Sequence, residues 1–161
     1  MTDNRKQTAN NKRPEIMVNN PKNKVIVYTD GGALNNPGPA AIGVVIKTTG
    51  KLFPKKYSEY IGKATNNQAE YKALIFALRK LKSLFGKKKI KDLNIEFYLD
   101  SKLLVEQLNG RYKILEKDLQ PLFLEVWNLK IDFGDVSFKY VPREKNKEAD
   151  ELVKEQLSNL S

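Results

Sequence analysis

Asp30, Glu70, Asp100 and Asp150 are the side chains of this sequence best placed to do chemistry. The chain contains no histidine and no cysteine, so thiolate nucleophiles, Ser-His-Asp triads, zinc held by Cys and His, iron–sulfur clusters and disulfides are excluded. What remains is chemistry by carboxylates, Lys, Arg, Tyr and hydroxyls, or by a metal with oxygen ligands. Carboxylates gathered about 4 Å apart repel by about 4 kcal/mol per pair at an effective dielectric of about 20, so a fold tolerates such a cluster only with cations between them. Hard oxygen donors favour Mg²⁺ or Mn²⁺ over zinc. Two such ions about 3.5–4 Å apart activate water and neutralise a phosphoryl transition state, which opens phosphodiester hydrolysis to a chain without imidazole or thiol. Each residue also has a plainer reading: Asp30-Gly31 as a turn, Glu70 and Asp150 as acids favoured by a helix dipole, and Asp100 as a helix cap.

The surrounding pattern sets the four acids at the ends of elements. Val25 to Asp30 is a β-branched and aromatic run that reads as a strand stopped by Gly31-Gly32. Ala41 to Lys47 and Lys51 to Ile61 read as two more strands around a tight Thr48-Thr49-Gly50 hairpin, giving an antiparallel meander. Thr65-Asn66-Asn67-Gln68 has the form of a capping box, and the spacing of Ala73, Leu74, Ala77, Leu78, Leu81 and Phe85 predicts a helix ending near Gly86. Asn94 to Leu99 reads as a strand ending at Asp100, and Lys102 to Leu108 as a helix stopped by Asn109-Gly110. A helix over Leu119 to Leu129 with Trp127 on its inward side, a strand over Val136 to Tyr140 and a last helix capped by Asn146 complete the order β-β-β-α-β-α-α-β-α. That order is an α/β layer with a mixed sheet. With the first and fourth strands as parallel neighbours, Asp30 and Asp100 share the crevice outside their carboxyl ends. Helix starts aimed at the same crevice bring in Glu70 and Asp150.

At 161 residues, with 40% hydrophobic residues, seven Phe, seven Tyr and one Trp, the chain has material for one cored domain. Lys+Arg 29 against Asp+Glu 19 gives +10, pointing to a polyanionic partner such as nucleic acid or, less specifically, an anionic membrane surface. Residues 1–24 hold six Lys/Arg, two Asp/Glu and one short apolar patch at Ile16, Met17 and Val18, and read as a mobile basic arm. Residues 25–161 form the expected folded domain and keep +6 of the charge. No apolar run approaches the roughly 20 residues of a membrane span and no secretory leader is evident, so the expectation is a cytoplasmic monomer without a membrane partner.

From Lys24 to about Leu157 the chain resembles ribonuclease H, type 1, of the compact archaeal or plant-like variety. The resemblance rests on YTDGGALNNPGPAAIG (Tyr28 to Gly43), ATNNQAEYKAL (Ala64 to Leu74), YLDSKLLVEQLNG (Tyr98 to Gly110) and VPREKNKEADELV (Val141 to Val153). The family's Asp-Glu-Asp-Asp set falls on Asp30, Glu70, Asp100 and Asp150. The resemblance implies a five-stranded mixed sheet with helices on both faces. It implies cleavage of the RNA strand of RNA–DNA hybrids with two Mg²⁺ or Mn²⁺ ions, leaving 3′-hydroxyl and 5′-phosphate ends. In that scheme Asp30 bridges both ions, Glu70 and Asp100 attach mainly to the one that activates water, and Asp150 holds the other. Asn66 and Asn67 match positions that sense 2′-hydroxyls in the shallow minor groove, and Thr65 matches a contact to a DNA-strand phosphate. Asn35 and Asn36 are further candidates for substrate contact. Helix capping is the plainer role for Thr65, and turn chemistry for the Asn35-Asn36 pair.

Two departures from the family stand out. Many members carry a His in the loop before the last Asp, credited with proton shuttling and product release; here that loop reads Val141-Pro142-Arg143-Glu144-Lys145-Asn146. Arg143 is the candidate occupant as a fixed positive charge near product phosphate, and Glu144 as a proton-exchanging group. The segment Arg111 to Lys117 is too short for the basic protrusion of some bacterial members, which leaves Lys87-Lys88-Lys89-Ile90-Lys91 and the arm as candidate basic contacts. Tyr112 is the expected surface aromatic. Two alternatives stay open on sequence: a broader nuclease that also cuts double-stranded RNA, and a catalytically silent hybrid-binding module.

Overall fold

The computed structural model describes residues 24–160. The arm expected over 1–24 therefore lies outside the described residues except for Lys24, which is the first residue of a strand and sits opposite Asn94. The elements are β1 (Lys24–Ala33), β2 (Gly38–Thr48), β3 (Lys55–Ala64), α1 (Asn66–Ile90), β4 (Asn94–Leu99), α2 (Lys102–Leu108), α3 (Gln120–Ile131), β5 (Asp135–Tyr140) and α4 (Lys147–Ser158). They form a five-stranded sheet in the order β3-β2-β1-β4-β5. The first three strands are an antiparallel meander, and β4 runs parallel to both β1 and β5. This is the mixed sheet and element order read from the sequence.

Strand alternation divides the core between two faces. Val25 and Val27 of β1, Val44 and Ile46 of β2, and Ile95 and Phe97 of β4 pack with Leu74, Leu78 and Leu81 of α1 in the main core. On the other face Ala41 of β2 meets Val153 and Leu157 of α4. The apolar stripe of the last helix thus covers the meander, and α1, backed by α3, covers the opposite side. Tyr71 Oη donates to Gln107 Oε1 at 2.8 Å, and Gln107 Nε2 to the Lys113 carbonyl at 3.4 Å, tying α1 to α2 and to the connection that follows.

Several boundaries differ from the sequence reading, each for a physical reason. Gly31-Gly32 does not stop β1, which continues to Ala33 with Gly31 opposite Ile42 and Gly32 opposite Ala41. A Cβ on Gly31 would lie 2.3 Å from the Ala69 carbonyl carbon and oxygen and 2.6 Å from Glu70 N, so the glycine serves a close helix–strand approach. β3 starts at Lys55 rather than Lys51 because Pro54 has no N–H for the ladder. The first part of α1 ends at Gly86 as the spacing predicts, that residue adopting φ 84, ψ 161, but a further helical turn follows the kink through Ile90, itself fully buried. Lys87 to Lys89 therefore stand in a helical turn anchored from below, not in a free connector. Trp127 is 53% exposed, a correction to its inward placement. Helix α3 buries only a narrow stripe at Val126, preceded by the buried Leu119 at its N-cap, and Trp127 lies one residue, about 100°, beyond Val126. Tyr112 is exposed, as expected.

Candidate active site

Asp30 lies in β1 and Asp100 just past the end of β4. Stacked Tyr28 and Tyr98, two residues earlier on each chain, show that the two acids leave the sheet on one face, the face that carries α4. Glu70 comes from the second turn of α1. Its helix is fixed by a complete capping box, in which Gln68 N donates to Thr65 Oγ1 at 3.1 Å and Thr65 N to Gln68 Oε1 at 2.8 Å. Because Gly31 lets this helix start press on β1, Gly31 N donates to Glu70 Oε1 at 3.0 Å. One carboxylate oxygen each from Asp30, Glu70 and Asp100 then lies within 4.8 Å of the others.

These three carboxylates are buried: Asp30 is 3% exposed, Glu70 7%, and the Asp100 side chain 1%. Burial, followed by the negative charges of Asp100 and Asp150, pushes the Asp30 carboxyl up to about 7, with Arg143 opposing. Burial first, then Asp30 and Asp100, holds the Glu70 carboxyl well above the ordinary range. A buried acid cluster held near neutrality is the electrostatic signature of a functional site. Among the described residues Asp100 Oδ1 accepts no hydrogen bond. The nearest cation, Arg143, is 3.8 Å away on a side chain that is 68% exposed. Buried hard oxygens with unused acceptor capacity fit a divalent cation.

Asp150 stands beside this trio, outside the group of three. Its Oδ1 is 3.8 Å from Arg143 Nη1, and its Oδ2 is 2.9 Å from Lys154 Nζ one turn further along α4. Arg143 thus spans Asp100 and Asp150, and the carboxylates, Asp100 foremost, hold its guanidinium firmly charged. Glu144 is exposed in the short 3₁₀ turn Arg143–Lys145 and pairs with no cation among the described residues.

Of the candidate substrate contacts, Thr65 caps α1, as its plainer reading has it. Asn66 Oδ1 accepts from Ala33 N at 2.9 Å, and Asn66 N donates to Asn36 Oδ1 at 2.9 Å. Both side chains spend their oxygens joining the β1–β2 connection to the helix start, which leaves their NH₂ groups, exposed with their residues, free to donate outward. Asn67 is half-buried in the first turn. Asn35 is exposed and takes φ 56, the left-handed conformation that Asn tolerates in turns. Lys87 to Lys91 lie beyond the kink at Gly86, itself separated from Glu70 by roughly 24 Å of helix, so they are no part of this cluster.

One residue carries more than the sequence reading gave it. Asn146 occupies the N-cap position of α4 but makes no side-chain cap. It is 1% exposed, and its Nδ2 donates to the Thr29 carbonyl and to Asp100 Oδ2, both at 2.9 Å. A cap bond contributes about 1 kcal/mol to a helix, and here it is forgone. An Asn before a helix looks the same in sequence whether its amide turns to its own helix or into the fold.

The likeness to known proteins agrees with this geometry. A family model described as reverse transcriptase-like matches residues 28–156. A bifunctional protein of Mycobacterium tuberculosis is 37% identical over 131 residues, 81% of this chain and 34% of that protein. Ribonuclease HI of Halobacterium salinarum is 38% identical, covering 84% of this chain and 65% of that one. The chain thus spans about a third of the mycobacterial relative. Among solved structures, LC11-RNase H1 in complex with RNA/DNA hybrid is 46% identical, with a TM-score of 0.76 and coverage of 81% of this chain and 94% of that one. Similar along most of its length to these proteins in sequence and fold, the chain belongs to the reverse transcriptase-like family and, within it, to the type 1 ribonucleases H.

Proposed function

We propose that the protein is an endoribonuclease that hydrolyses the RNA strand of RNA–DNA hybrids with Mg²⁺ or Mn²⁺, through Asp30, Glu70, Asp100 and Asp150. The observation that carries this reading is the convergence of three buried carboxylates within 4.8 Å, one of them with an unbonded buried oxygen. The likeness to a protein whose structure holds an RNA/DNA hybrid supports the substrate.

Asp30, Glu70 and Asp100 would hold one ion, with Asp30 shared and Asp150 completing the site of a second. When bound, such ions supply water activation and neutralise charge on a phosphoryl group in transfer. The chain's own groups do the rest. The outward NH₂ groups of Asn66 and Asn36, with Asn67 and Asn35 beside them, suit a minor groove lined with 2′-hydroxyls. Thr65, at the start of α1, receives a DNA-strand phosphate while keeping its cap. Arg143, fully charged and largely exposed, attracts the product phosphate, and Glu144 in the same turn exchanges protons with solvent. Residues 1–23 would add their basic charge for the duplex backbone to that of the remaining residues. A cytoplasmic monomer is part of the same proposal.

The test is digestion of labelled RNA–DNA hybrid, RNA duplex and DNA duplex in parallel, with and without chelator. Cleavage confined to the RNA strand of the hybrid, and abolished by chelator, is the expected result. Equal cutting of RNA duplex would extend the specificity to double-stranded RNA, and binding of hybrid without cleavage would reduce the protein to a silent binding module.

A further inference from the structure

We infer that Asn146 is a positioning residue that sets the spacing of the carboxylates, acting as a side-chain rung between β1 and β4 where their backbone ladder stops. The inference rests on the metal-site reading above and assigns a role to a residue that bears no charge and is buried.

The parallel pairing of β1 with β4 runs from Lys24 opposite Asn94 to Tyr28 opposite Tyr98 and ends there. The carboxylates come two residues later on each chain, past the last backbone rung. On its other side β4 stays tied to β5, through Leu99 opposite Tyr140 and a 2.9 Å bond from Val141 N to the Leu99 carbonyl. Beyond Tyr28 and Tyr98, at Thr29/Asp30 and Leu99/Asp100, β1 and β4 are thus no longer paired through their backbones. Asn146 bridges them there. Its two N–H groups reach one acceptor on each side, the Thr29 carbonyl next to Asp30 and Oδ2 of Asp100 itself, both at 2.9 Å.

Two consequences follow from donor geometry. Fixing Asp100 Oδ2 leaves Oδ1, which accepts no hydrogen bond among the described residues, as the oxygen free for a cation. The same residue also starts α4: Asp150 N donates to the Asn146 carbonyl at 3.1 Å. One residue therefore links the chain segments carrying Asp30, Asp100 and Asp150, and its side chain is 117 residues in sequence from the carbonyl it holds. An aspartate here would keep the shape but set another acceptor against two acceptors, whereas an alanine would leave the Thr29 carbonyl and Asp100 unheld.

The experiment is titration of Mn²⁺ alone into the full-length, substrate-free protein by calorimetry, for wild type, Asn146→Ala and Asn146→Asp, with kcat and KM on hybrid measured in parallel. We expect Mn²⁺ affinity and kcat to fall by about 10–100-fold, with Asn146→Asp the worse, and KM to move by less than about threefold. Variants that bind Mn²⁺ like wild type would overturn the inference even if their melting temperature falls, because that is the pattern of a purely structural amide. A second measurement needs no variant: in wild type the Asn146 side-chain amide protons should exchange slowly and shift on Mg²⁺ titration, and exchange at the rate of a free amide would overturn the assignment. A wild type that binds Mn²⁺ yet never cleaves hybrid would sink the proposed function and leave this inference standing. A wild type that binds no Mn²⁺ would sink both.

Discussion

Asp30 shows how burial and charge make a group chemically distinctive. Its carboxyl is pushed up to about 7, first by burial and then by Asp100 and Asp150, while in an unfolded chain it would titrate near its ordinary value of about 4. The folded, metal-free protein therefore holds an extra proton between those values. The associated stability is fully present below about pH 4 and is lost as pH rises through about 7. Glu70 shifts in the same direction. We expect the melting temperature in chelator to fall through this window, and the fall to disappear in saturating Mg²⁺, which binds the deprotonated carboxylates. Identical pH profiles with chelator and with Mg²⁺ would contradict this. The trio of Asp30, Glu70 and Asp100 was legible in the sequence because each lies beside a strong local signal, a glycine pair, a capping box and a strand end. Asn146 was not, because its value lies in two long-range acceptors, Thr29 and Asp100, that no local pattern reveals.

At the level of elements, the site depends on how closely α1 presses on β1. Gly31-Gly32 reads locally as a strand terminator, yet β1 runs through both, because the missing side chain at Gly31 is needed for contact with Ala69 and Glu70. Periodicity gives each helix its buried stripe but not the distance at which it packs, so the strand end and the helical turn that follows Gly86 both required the tertiary structure. Gly31→Ala puts a methyl into backbone atoms that cannot yield, so we expect a loss of about 3 kcal/mol of stability. It should also shift Glu70, whose carboxylate is held by Gly31 N. The loss of cleavage at a temperature where the variant is folded should therefore exceed any loss of folded protein. Denaturant unfolding and activity measured on the same sample check this, and a variant with wild-type stability and activity would contradict it.

For the whole molecule, the composition points to a partner class only in general terms. A charge of +10 points to a polyanion, and in the proposed function the amides of Asn35, Asn36, Asn66 and Asn67 would narrow it to a duplex with 2′-hydroxyls. Charge contacts to phosphate predict that hybrid affinity drops steeply with salt, by roughly 10³-fold between about 50 and 200 mM for some six neutralised phosphates. A flat response would separate the charge from hybrid binding. The missing histidine and cysteine leave the four-carboxylate site as the only catalytic centre proposed for the chain. The central claim is then tested most directly by Asp100→Asn, measured for both hybrid binding and RNA-strand cleavage in Mg²⁺. Hybrid affinity should be kept or improved while cleavage is abolished; cleavage at the wild-type rate would contradict a catalytic role for this carboxylate.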